Sequence, residues 1–201
     1  MTDRGQLLDF MRANSFATLV SRVGGEPFAS HLPLLIDPSA GPHGTLVGHM
    51  ARANPQWRSD DDVFLTIFSG PHAYVSPTWY AAENTVPTWN YVAVHAYGRF
   101  ELIDDRDALE QIVRDYVAFY EAPMPQPWQV TSPAEFLDKL LAAIVGFRIE
   151  ITRLEGKWKL NQNHPEERRE RVVRALTERG DENSLEIARL MSNDEVRMTK
   201  E

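Results

Sequence analysis

Residues 86–98, VPTWNYVAVHAYG, constrain the fold more than any other stretch of the chain. Pro87 closes a loop, and residues 91–97 are rich in aromatic and β-branched types with no Pro or Gly before Gly98. Such a composition suits a strand buried on at least one face. At its mouth Thr88, Trp89 and Asn90 offer a hydroxyl, an indole and an amide, expected side by side. A rigid strand with these groups at one end can hold a flat polar ligand. The structural alternative is a core strand whose Trp and Asn satisfy each other.

The flanking sequence supplies partners for that strand. Residues 16–22 (FATLVSR) and 28–36 (FASHLPLLI) surround a Gly24-Gly25 hairpin signal. Pro33 argues for an edge position or a bulge, because proline cannot donate to a ladder. Residues 45–50, 63–68 and 73–76 read as further strands, the last two split by Gly70-Pro71. Residues 98–103 continue the central strand, and residues 147–154 alternate strictly before Gly156 allows a bend. Helices are expected over residues 3–14, 105–121, 132–144 with Ser132 as N-cap, 164–179 and 181–191, and a frayed tail over 192–201. Three prolines within residues 122–129 exclude regular structure there. Six or seven short strands with helices inserted late predict an α+β fold, a small antiparallel β-barrel with added helices. The expected organisation is a barrel domain over residues 1–163 and charged C-terminal helices and tail over 164–201.

Composition removes whole classes of function. The chain has no cysteine, which excludes thiol catalysis, zinc thiolates and disulfides and fits a reducing cytoplasm. No apolar run approaches the roughly 20 residues of a membrane span. With 21 basic against 29 acidic residues, any DNA contact needs a local basic patch. The densest patch, Arg168, Arg169, Arg171 and Arg174, is interleaved with Glu166, Glu167 and Glu170 and reads as a solvated helix face.

Five polar clusters fall at strand ends or in loops: residues 30–33, 48–55, 70–80, 88–90 and 156–163. They contain no nucleophile–base–orienter set, since Ser30 and His31 are strand neighbours that point to opposite faces. No paired carboxylates, no metal-ligand spacing, no GxGxxG and no P-loop occur. What remains is a site that binds, with cations and amides for a phosphate and amides and tryptophans for a ring. The guest this chemistry suits is a phosphorylated flat heterocycle.

The ordered motifs ASHLPLL, GHMARANPQW, GPHAYVSPTWY, VPTWNYVAVHAYG and EGKWKLNQN resemble the FMN-binding negative transcriptional regulator family, also called PaiB-like, from about residue 16 to about residue 175. The resemblance implies a split β-barrel of the pyridoxamine-phosphate-oxidase-like kind, working as a homodimer with FMN at the subunit interface. Arg52, Lys157 or Lys159, with Thr88 and Asn54 as neutral donors, are the expected phosphate end. Ser30 and the backbone around His31, Leu32 and Pro33, with that of His49, Met50 and Ala51, are the expected ring contacts, and Trp89, Asn90 and Gln162 lie at the edges. Two departures from the family pattern stand out. The chain starts almost at its first helix, and the usual Lys-Leu-Ser-Gln-Asn is here Lys159-Leu160-Asn161-Gln162-Asn163. The expected function is a flavin-linked redox or sensing role, with an FMN-dependent oxidoreductase activity and an unnamed small-molecule redox partner in view. A direct DNA-binding repressor and a haem-binding protein on the same fold are the alternatives.

Overall fold

The computed structural model describes residues 3–192. The expected tail from residue 193 onward lies outside them. Helix α1 (Arg4–Ala13) opens the chain and buries Leu7, Leu8 and Met11. Asn14 closes it, donating from Nδ2 to the Phe10 carbonyl at 2.9 Å. Strands β1 (Phe16–Val23) and β2 (Glu26–Pro33) form the hairpin that Gly24 and Gly25 permit, both at positive φ. Strands β3 (Leu35–Asp37) and β4 (Thr45–Ala51) pair antiparallel. Then come β5 (Val63–Val75), β6 (Thr88–Ile103), α2 (Arg106–Glu121), α3 (Ala134–Leu141), β7 (Ile144–Lys159), α4 (Glu166–Arg179) and α5 (Glu182–Ser192).

The seven strands form one sheet in the order β2-β1-β5-β6-β7-β4-β3. Its two outer strands, β2 and β3, are separated in sequence by Leu34 alone. A sheet whose opposite edges belong to one continuous stretch of chain must curl round, which makes it an α+β barrel. Pro33 therefore sits at the end of an edge strand, where its missing N–H costs no ladder bond.

Two expected breaks do not occur. Strand β5 runs straight through Gly70-Pro71, since its pairing with β1 ends at Thr18 opposite Ile67, before the proline is reached. Strand β7 likewise continues through Gly156 to Lys159. Helix α3 also begins later than expected: Pro133 occupies the cap position and Ser132 does not cap it. Gly98 marks a close approach of β6 to β7, because a Cβ there would lie 2.5 Å from the Glu150 carbonyl oxygen.

The chain packs as two compact units interleaved in sequence. One comprises Arg4–Phe68 and His95–Glu155; its core includes Leu19, Leu46, Phe64 and Phe147, and Phe100 stacks on both phenylalanines at 4.5 and 5.2 Å. The other comprises, of the described residues, Asp3, Ser69–Val94 and residues 156–192. Its core joins Ala73 and Val75 of β5 to Leu160 and to Val172, Leu176, Ile187 and Met191 of α4 and α5. The two charged C-terminal helices thus bury their apolar stripes against the strands. No described helix is long and apolar enough to cross a membrane.

Candidate functional site

In the unit of Ser69–Val94 and the C-terminal chain, strand alternation sorts the side chains. Successive residues of a strand point to opposite faces. Ala73 and Val75 face the helical core, so His72 and Tyr74 face away from it. Asn90 is fully buried and donates to Met191 Sδ at 3.3 Å, which turns Trp89 outward. Trp158 and Leu160 pack on the core, leaving Lys157 and Lys159 on the other face of β7. Since β6 lies next to β5, His72, Tyr74 and Trp89 form one aromatic surface, with β7 and its lysines on the other side of β6. Trp89 is 53% exposed there, 5.9 Å from Tyr74 at a steep 69° and 6.1 Å from His72.

Lys159 Nζ donates to Thr88 Oγ1 at 2.7 Å at the start of β6, where alternation puts Thr88 in phase with Asn90 and out of phase with Trp89. An ammonium carries three donors, so two remain on Lys159, and the Thr88 hydroxyl keeps its own proton to donate. Paired in this way, a fixed point charge and a hydroxyl have the donor set that a phosphate monoester requires. Two other expected residues serve local structure. Gln162 braces the turn after β7, accepting from Leu160 N–H at 2.9 Å and donating to the Trp158 carbonyl. Asn90 lies inside the core, with its Oδ1 buried and unpartnered. The expectation that Thr88, Trp89 and Asn90 stand side by side is therefore corrected: the pleat separates the indole from the amide.

The remaining expected residues belong to the unit of Arg4–Phe68 and His95–Glu155. Ser30 Oγ accepts from Asn54 Nδ2 at 2.8 Å, and Asn54 Oδ1 in turn caps the 3-10 turn Pro55–Arg58 by accepting from Gln56 N–H at 2.9 Å. His31 is exposed, hydrogen-bonded to Thr18 Oγ1 at 3.1 Å and stacked on Phe16. Leu32 and Pro33 are half-buried at the end of β2, and the Pro33 carbonyl accepts from Tyr116 Oη at 2.6 Å. His49 packs edge-on against Tyr116 at 4.9 Å, with Nδ1 buried and unpartnered; burial lowers its pKa. Met50 is in the core and Ala51 is exposed at the strand end. Arg52 directs its guanidinium inward on the protein, to Asp104 Oδ1 at 2.5 Å and to the carbonyls of Ala142 and Ile144, each at 2.9 Å.

His72 and Tyr74 belong to the 70–80 cluster but were not among the expected FMN contacts. Their signal was present: they alternate with Ala73 and Val75, so they share the face opposite the core. Asp104, which occupies Arg52, gave no such signal, because it is 52 residues away along the chain. Among the described residues no three metal-binding side chains cluster together.

A family model whose description reads "Putative FMN-binding domain" matches residues 1–153. The chain is 36% identical over 197 residues to "Protease synthase and sporulation protein PAI 2" of Bacillus subtilis, covering 96% of this chain and 93% of that protein. It is 30% identical to an uncharacterized protein of Aspergillus fumigatus, with coverage of 91% and 90%. Among solved structures, the flavocytochrome Anf3 from Azotobacter vinelandii superposes with a TM-score of 0.61 at 17% identity, over 79% of this chain and 68% of that one. The FAD and heme binding protein from Mycobacterium smegmatis gives 0.55 at 18% identity, over 79% and 72%. At those identities the two structures establish the shared fold.

Proposed function

We propose, for a chain that belongs to the PaiB-like FMN-binding family, that FMN is held by its phosphate at Lys159 and Thr88 and that the protein has a flavin-linked redox or sensing role. The observation that carries this reading is the 2.7 Å pair of Lys159 and Thr88, which lies on the same strands as an exposed tryptophan. Lys157, exposed two residues before Lys159, adds a second cation. Trp89 and Tyr74 offer apolar area to a flat ring at low entropic cost. When bound, FMN supplies an isoalloxazine that accepts and returns electrons. The chain's part is to fix the phosphate, shield one side of the ring and leave a path for a small redox partner.

Direct reading of DNA is the weaker alternative, because the basic helix turns its arginines back onto the protein. Arg168 lies over the Tyr80 ring and meets His164 Nδ1 at 3.0 Å. Arg169 donates to the Met191 carbonyl, and Arg171 to the Tyr80 carbonyl and to Glu167. Any effect on transcription is then indirect. A homodimer belongs to the same reading, supported by half-buried Val20 and Leu65, paired across β1 and β5 on one face of the sheet. We place the protein in the cytoplasm, in keeping with a sequence that lacks cysteine.

Anaerobic photoreduction of the FMN-loaded protein tests the redox part. Bleaching of the flavin band followed by reoxidation with a dissolved small-molecule acceptor is expected. A bound flavin that neither reduces nor reoxidises under those conditions contradicts it.

A further inference from the structure

The unit of Arg4–Phe68 and His95–Glu155 contains a cleft that the FMN reading does not use. It has a volume of about 750 Å³ and lies between α2 and the outer face of β3, β4 and β7. Its size falls in the range of small-molecule sites, about 300–1,000 Å³.

The register of the strands builds its walls. Leu35 pairs with Val47, which pairs with Arg148; Asp37 pairs with Thr45, which pairs with Glu150. These are two parallel rows of side chains on one face, one largely apolar and one largely anionic. Ala108 and Ile112 of α2 complete the apolar floor beside Leu35 and Val47. Glu101 and Asp115 join Asp37 and Glu150 at the rim, so four carboxylates face the single guanidinium of Arg148.

Among the described residues, these four carboxylates line one cleft without a cation closing on any of them. Ten others, from Asp9 to Glu186, close ion pairs within 4.0 Å. Among the described residues none of the four at the cleft does, although Arg148 is near enough to lower the Asp37 pKa behind the two hydrogen bonds from Ser39. Asp37 and Glu150 each pair with Thr45 and so lie two strands apart in one row. The four carboxylates are too far apart to gather three ligands round a metal ion. An apolar floor under separated anions is complementary to a longer molecule.

We propose that this cleft binds an amphipathic organic cation, an aliphatic amine whose hydrocarbon body lies on Leu35, Val47 and Ile112 while its ammonium groups meet Glu101 and Glu150. The site is independent of the FMN reading, and the test keeps the two apart. Calorimetric titration of the full chain with 1,6-diaminohexane, hexylamine, hexane-1,6-diol and hexanoate at low salt reads the preference directly. The diamine binds, hexylamine binds more weakly, and the uncharged and anionic analogues do not. The exposed double substitution Glu101→Lys with Glu150→Lys weakens the diamine at least tenfold and leaves the FMN titration unchanged. The milder Glu101→Gln with Glu150→Gln weakens it in the same direction and guards against a folding effect of the added lysines. Absence of amine binding at about 10 mM, equal binding of the diol, or binding that survives both double variants overturns the proposal.

Discussion

His49 shows how a single residue can be misplaced by its neighbours in sequence. It stands in the GHMARANPQW motif, yet its ring lies under Tyr116 of α2 with Nδ1 buried and without a partner. Desolvation holds its pKa below the ordinary histidine range, and burial with the nearby Arg168 charge does the same at His164. Both groups take up protons more readily in the unfolded chain. The stability they contribute is present above the ordinary histidine pKa, and it is lost as pH falls through their lowered folded-state values. Urea unfolding at several pH values between 7 and 5 therefore gives a midpoint that falls with acidification. His49→Leu flattens that slope; an unchanged slope removes His49 from the account.

At the scale of elements, Arg52 joins the end of β4 to the segment linking α3 and β7 and to Asp104 ahead of α2. Arg52→Ala leaves the Ala142 and Ile144 carbonyls without this donor and lowers the melting temperature. FMN affinity stays within about threefold of wild type if the residue is a strut. A tenfold or greater loss of FMN affinity with normal melting makes it a ligand.

Elements also show what the sequence could convey. The long β6, the amphipathic α2 and the alternating β7 were legible, because their periodicity is set by burial that each residue records locally. Gly70-Pro71 and Gly156 were read as breaks for a sound local reason, yet partner strands decide whether a proline or glycine interrupts a sheet. The site divided in the same way. The chemistry of Lys159 and Thr88 made them candidate phosphate donors, and the fold brings the two within 2.7 Å of each other. The role of Arg52 was not legible, since its partners come from segments remote in sequence.

At the scale of the whole molecule, the sheet closes through Leu34, and the charged C-terminal helices share a core with the ends of the strands. The cofactor's anionic end is assigned to Lys159 and Thr88, which the fold holds 2.7 Å apart across β6 and β7. A charge-assisted contact of this kind contributes about 1.5–3 kcal/mol, or roughly 10- to 150-fold in affinity. Riboflavin has the same ring and lacks the phosphate, so the FMN-to-riboflavin affinity ratio isolates that contact. Measured by flavin fluorescence on wild type and Lys159→Ala, the ratio falls at least tenfold in the variant while riboflavin affinity is unchanged. A ratio that is the same in both proteins contradicts the assignment.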